Sequence, residues 1–235
     1  MATQTVTGKY IFLDIVGYSH QRTVEAQTDI IDAMNNAVRK AITSLEIAKD
    51  RRVLIPTGDG VCVALLDVKD PFDIHLQLAL RILELIDKYN QSQKDKMRQF
   101  QVRVGVNENI DNLITDINGN KNVAGAGITE AQRIMDQGNG GNILVGRTVF
   151  EQLRQRENYM TKFRKYPVII KHNVKMDVYQ FIDFAIPYLN SEESHPGVMG
   201  ILHSHKKKLS AKIKPKEWKD KIKGQIQNQI KKIKK

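Results

Sequence analysis

The chain has one cysteine, Cys62, in 235 residues. An internal disulfide is therefore excluded, and a reducing compartment fits. Cys62 lies in the apolar run 61–66, where a thiol serves as a small core side chain. No run of about 18 apolar residues occurs, so no membrane-spanning helix is expected. Residues 1–9 are polar and lack the apolar centre of a secretory signal. The expectation is a cytoplasmic protein. Net charge is also missing from most of the chain. The formal balance is +11, yet residues 206–235 hold 13 Lys against 2 acids, while residues 1–205 hold 24 basic and 24 acidic side chains. The body is neutral, so its charge does not mark it as a nucleic-acid binder.

At 41% hydrophobic residues, the body can bury a full core. Residues 9–15 read as a buried strand. Residues 29–48 carry apolar side chains at helical spacing: Ile30, Met34, Ala37, Val38, Ala41 and Leu45. Residues 53–55 and 61–66 read as a hairpin around Thr57-Gly58-Asp59-Gly60. Residues 71–89 form an amphipathic helix, and 100–106 an alternating strand. Residues 107–127, rich in Asn and Gly, read as a functional loop. A short helix over 128–136, a strand over 142–145, a helix from 148 and a closing pair of strands at 168–170 and 176–181 follow. The order predicts an α+β fold with a ferredoxin-like βαββαβ core and an αβ extension. Its mixed, mostly antiparallel sheet would carry helices on one face. Residues 1–185 form the domain, 186–205 a linker and 206–235 a basic tail.

Two carboxylates sit where an apolar strand meets a glycine turn: Asp14 in Phe-Leu-Asp-Ile-Val-Gly-Tyr-Ser, and Asp59 in Ile-Pro-Thr-Gly-Asp-Gly. Neighbouring strands that present such a pair offer a hard oxygen site for Mg²⁺ or Mn²⁺. The turn after Asp14 offers backbone N–H groups to phosphate. Either Asp alone reads equally well as a turn or cap residue. Arg103 alternates with Val102 and Val104 and reads as a surface or ion-paired residue.

Four motifs occur in order: the two Asp segments, Val102-Arg103-Val104-Gly105, and Gly125-Ala-Gly-Ile-Thr-Glu-Ala-Gln-Arg133. In that order the chain resembles the class III nucleotidyl cyclases over about residues 9–182. Within them it is most similar to the bacterial pyrimidine (uridylate) cyclases of the Pycsar antiphage systems. The resemblance implies a head-to-tail homodimer with sites at the interface. Asp14, Asp59 and the Ile15 carbonyl would hold two metal ions, Mn²⁺ or Mg²⁺, that bind a nucleoside triphosphate. Gly17, Tyr18 and Ser19 would bind its outer phosphates. Arg133 from the second copy would stabilise the pentacovalent phosphorus. The product would act on a separate cyclic-nucleotide effector.

Three departures bear on substrate. Cyclases acting on ATP carry a Lys four residues before the second metal Asp, where this chain has Ile55. The adenine-reading Asp falls on Asn122. An Ile cannot pair a purine edge, and an unpaired buried group costs about 1–3 kcal/mol. An apolar wall with an amide suits a pyrimidine, and UTP is favoured over CTP. Thr129 replaces the usual ribose-orienting Asn. Glu130 or Asn122 could assist it, or the domain could bind nucleotide without turning it over.

In the tail, Trp218, Ile222, Ile226, Ile230 and Ile233 fall on one helical stripe among lysines. Such a helix could lie on an anionic membrane surface at the inner face, bind phosphates of nucleic acid, or dock on a partner. His203 and His205 read as linker residues rather than metal ligands.

Overall fold

The computed structural model describes residues 4–169 and 175–192. The tail stripe, His203 and His205 lie outside these residues. One eight-stranded sheet organises the fold, in the order β2-β3-β1-β4-β6-β8-β7, with β5 paired to β4. The strands are β1 (Gln4–Ile15), β2 (Arg52–Pro56), β3 (Gly60–Leu66), β4 (Val102–Thr115), β5 (Lys121–Ala124), β6 (Ile143–Gly146), β7 (Phe163–Ile169) and β8 (Lys175–Phe181). Among the described residues, only β4 and β6 run parallel; the other pairs are antiparallel. The helices are α1 (Val24–Ser44), α2 (Ile74–Ser92), α3 (Ala126–Met135) and α4 (Arg147–Leu153).

Strand alternation in β1 divides the core in two. Ile11, Leu13 and Ile15 pack with Ile30, Met34 and Val38 of α1 and with Leu76, Ile82 and Ile86 of α2. Tyr10 and Phe12 face the other way, onto Cys62, Ala64 and the α3 residues Ala131 and Met135. Helices therefore cover both faces, not one. Cys62 is fully buried, and burial pushes its thiol well above the usual range, as befits a core residue.

Several boundaries differ from expectation; β1 begins earlier, at Gln4, and β7 runs over Phe163–Ile169. Helix α1 starts at Val24 because Thr23 caps it, its hydroxyl accepting from the Ala26 N–H at 3.3 Å. Residues 107–127 are not a loop: β4 continues to Thr115 and turns back into β5. The usual polarity is inverted there. Asn107 and Asp111 are buried, while Ile110 is 69% exposed and Ile117, at the tip, 100%. Buried polar groups with partners are compatible with a strand, but they mask its pattern. Residues 186–192, expected to open the linker, pack on the body. Leu189 is buried in the core, Asn190 N–H donates to the Gly141 carbonyl at 2.9 Å, and Gln180 Nε2 donates to the Glu192 carbonyl at 2.8 Å.

Candidate active site

Asp14 is the penultimate residue of β1, directly opposite Gly60 on β3 and Arg103 on β4. Asp59 lies in the β2–β3 turn. The Ile15 N–H donates to the Asp59 carbonyl at 3.1 Å, which ties that turn to the end of β1. The sheet thus brings both predicted carboxylates to one edge. The Asp14 side chain is only 17% exposed. Burial raises its carboxyl above the ordinary range, Arg103 opposes this, and the neighbouring Asp59 charge adds to it.

Arg103 is ion-paired, and its partner is the first candidate metal ligand. Its Nη2 and Nε donate to Asp14 Oδ2 at 2.8 and 3.1 Å, and Nη2 also lies 3.2 Å from Asp136 Oδ1. Strand alternation identified Arg103 as different from its valine neighbours. Only the β1–β4 register, which brings Asp14 opposite Arg103, shows where the charge goes.

The turn after Asp14 folds back on itself: the His20 N–H donates to the Gly17 carbonyl at 3.0 Å, and Gly17 has φ 63°. Arg22, which the sequence did not single out, staples this turn. Its guanidinium donates to the Gly17 carbonyl, to the Gln99 carbonyl at 3.0 Å and to the Met97 carbonyl at 2.9 Å. Ser19 is exposed, whereas Tyr18 packs partly on the core.

Thr129 and Arg133 are four residues apart on α3, both exposed and on one face of the helix. Among the described residues, no hydrogen bond or ion pair joins either side chain to Asp14 or Asp59. Beside Thr129, the Glu130 carboxylate accepts from Asn107 Nδ2 at 3.1 Å.

Ile55 packs against the apolar cluster of Val53, Cys62 and Val123. Asn122 precedes Val123 on β5 and so faces away from that cluster. Its Oδ1 accepts from the Val123 N–H at 2.7 Å. Ile55 packs on the Val123 side of β5, and Asn122 points to the other.

An α+β sheet thus brings two carboxylates together, and its α3 helix carries an exposed threonine and arginine. The chain belongs to the adenylate and guanylate cyclase catalytic domain family, whose model matches residues 3–183. No curated protein matches it. Among solved structures it is similar to the adenylyl cyclase CyaB from P. aeruginosa, with a TM-score of 0.60 at 16% identity, covering 78% of this chain and 97% of that one. The guanylyl cyclase Cya2 gives 0.64 at 15% identity, covering 82% and 100%. The guanylate cyclase domain of RhGC from Catenaria anguillulae, in complex with GTP, gives 0.58 at 17% identity, covering 76% and 97%. At these identities the likeness is one of fold. Among the described residues, no helix is long and apolar enough to cross a membrane.

Proposed function

We propose that this chain is a homodimeric pyrimidine nucleotide cyclase that converts UTP to 3′,5′-cyclic UMP and pyrophosphate. The observation that carries the reaction type is the carboxylate pair at one sheet edge, with Asp59 among the causes that raise the Asp14 carboxyl. Two such groups suit a hard divalent cation. Among the described residues, no third His, Cys, Asp or Glu joins them in a cluster. This suits Mg²⁺ or Mn²⁺, which takes one or two carboxylates and completes its shell with triphosphate oxygens and water. Bound there, with the Ile15 carbonyl as a further ligand, the two ions would neutralise the triphosphate and acidify the ribose 3′-hydroxyl.

The chain's own groups do the rest. Arg103 holds Asp14 through two donors to one carboxylate oxygen and would have to give up that pair for Asp14 to ligate a cation. The Gly17, Tyr18 and Ser19 turn, stapled by Arg22, presents N–H groups to the outer phosphates. Thr129 and Arg133 of α3 serve the site of the second copy. There Thr129 meets the ribose, and the Arg133 guanidinium stabilises the charge on the pentacovalent phosphorus. The nucleophile is already tethered to its target, so positioning and neutralisation carry the catalysis.

Base choice rests on Ile55, the apolar residue of β2 that packs with Val53, Cys62 and Val123. A pocket wall of this kind offers a purine edge no hydrogen bond. Asn122, whose Oδ1 accepts from the Val123 N–H, is proposed to read the pyrimidine with its Nδ2 donors. As in the Pycsar-type cyclases that the sequence resembles, the product is proposed to switch on a separate effector during phage infection. Residues 206–235 are proposed to favour an anionic membrane surface. A second reading, nucleotide binding without turnover, is favoured by Thr129 standing where the family the sequence resembles usually has a longer Asn.

The test is UTP with Mn²⁺, followed by mass identification of the product, for the wild-type chain, Asp59→Asn and Arg133→Ala. Cyclic UMP from the wild type and none from either variant supports the proposal. Full activity in Asp59→Asn refutes the metal assignment. UTP bound but not consumed by the wild type supports the second reading.

A further inference from the structure

Helix α3 begins without a side-chain cap of its own. Its N-cap position is Gly125, which has no side chain to accept from the free N–H groups of the first turn. The acceptor comes instead from β4. The buried Asp111 carboxylate accepts from the Gly127 N–H, at 3.1 Å to Oδ2 and 3.4 Å to Oδ1. Two further donors hold this carboxylate: the Tyr10 hydroxyl at 2.6 Å and Asn109 Nδ2 at 2.9 Å. Tyr10 is wholly buried on β1, and its hydroxyl is pushed well above the usual tyrosine range by burial and by Asp111, so it remains a donor.

The helix sits directly on this pair. A Cβ at Gly127 would fall inside van der Waals contact with both the Asp111 carboxylate and the Tyr10 ring, so only glycine permits the approach. One turn further on, a Cβ at Gly105 of β4 would strike the Ala131 carbonyl of α3. Asn107 adds a second tie, donating to the Gly127 carbonyl at 3.3 Å and to Glu130 at 3.1 Å. The carboxylate also places a negative charge at the positive end of the helix. All these contacts lie on the buried side of α3, and Thr129 and Arg133 project from the other.

We propose that Asp111 and Tyr10 form a buried latch that seats α3, and so positions Thr129 and Arg133 for the active site of the second copy. They are positioning residues, since neither reaches the exposed face of the helix. The inference deepens the cyclase reading above and rests on it for its catalytic consequence. Its structural part does not depend on activity.

The experiment uses the full chain with Asp111→Asn, which keeps the shape and removes the charge. Tyr10→Phe keeps the ring, removes one hydroxyl, and carries the test if the first variant does not fold. The first readout is amide hydrogen exchange. Exchange should quicken over residues 126–135 and stay unchanged in β1 and β3. The second readout is kinetic. The kcat with UTP should fall about 10- to 100-fold in Asp111→Asn, and less in Tyr10→Phe, with KM little changed.

The third readout is mixing. With the sites shared between copies, Asp111→Asn mixed with Asp59→Asn rebuilds one intact site in each mixed dimer and regains about one quarter of wild-type turnover. Asp111→Asn mixed with Arg133→Ala regains nothing, since both lesions lie on the α3 half. A merely structural defect would not sort the two partners in this way. Unchanged exchange in α3, or rescue by Arg133→Ala in place of Asp59→Asn, overturns the proposal. If the wild-type chain cyclises no triphosphate, the cyclase reading fails, and the exchange data alone decide whether the latch stands.

Discussion

Arg103→Gln tests how the Asp14 carboxylate is held. The guanidinium reaches Asp14 Oδ2 through two donors, at 2.8 and 3.1 Å. Two unit charges with centres about 4 Å apart attract by about 4 kcal/mol at an effective dielectric of 20. Part of that is returned when the guanidinium no longer has to be desolvated, and the Arg103 side chain is still 28% exposed. A net loss of about 1–3 kcal/mol is the reasonable expectation for a charged hydrogen-bonded pair.

The pH dependence follows from the direction of the Asp14 shift. Burial raises its folded-state carboxyl above the ordinary value, and Arg103 is the main influence holding it down. A carboxyl raised in the folded state binds its proton more tightly there than in the unfolded chain. Ionising it therefore costs stability as pH climbs from the unfolded carboxylate range through the raised folded value. Without Arg103 that cost grows. Urea unfolding of metal-free protein should show Arg103→Gln less stable by about 1–3 kcal/mol at pH 8, with most of the gap closed at pH 4. Mn²⁺ should raise the melting temperature of the variant more than that of the wild type, because no guanidinium has to be displaced. Equal stability at pH 8, together with equal Mn²⁺ response, would refute the reasoning.

Further outcomes follow from other residues. Burial holds His75 neutral, with its titration pushed down to about 3, while the unfolded chain protonates it near the ordinary value of 6.5. It therefore removes stability as pH falls through that window, by at most about 1.4 kcal/mol per pH unit, and His75→Leu should flatten the slope in urea unfolding followed from pH 6.5 to 4. Gly127→Ala forces α3 off Asp111 and Tyr10 and should cost about 1–3 kcal/mol in the same assay. Cys62 should resist a thiol reagent until denaturant is added. Ile55→Lys places a donor beside the proposed base and should raise the ratio of ATP to UTP turnover, measured by competition; an unchanged ratio places the base elsewhere.

Much of the fold was legible because β1, α1 and α2 bury apolar residues at regular spacing. Ile11, Leu13 and Ile15 alternate, and Ile30, Met34 and Val38 recur at helical intervals. The second half of β4 was not legible, since its buried positions are Asn107 and Asp111 and its exposed ones Ile110 and Ile114. Period and polarity conflict there, and only the partners of those polar groups resolve the conflict. In the site, Asp14 and Asp59 could be read from strand-to-glycine contexts. The Arg103 partnership with Asp14 depends on strand register across 89 residues of sequence, which no local pattern carries. Arg22 and Asp111 act on backbone carbonyls and amides, and such acceptors and donors leave no mark in a sequence. On β5, alternation turns Val123 into the cluster beside Ile55 and Asn122 to the other side, a facing set by the pairing with β4.

The central claim is tested most directly by offering the full chain all four nucleoside triphosphates at equal concentration with Mn²⁺ and identifying the cyclic products by mass. The account predicts 3′,5′-cyclic UMP as the main product, with one pyrophosphate released for each. Cyclic AMP or cyclic GMP in excess would contradict the reading of Ile55, and no cyclic product from any of the four would contradict the enzyme itself.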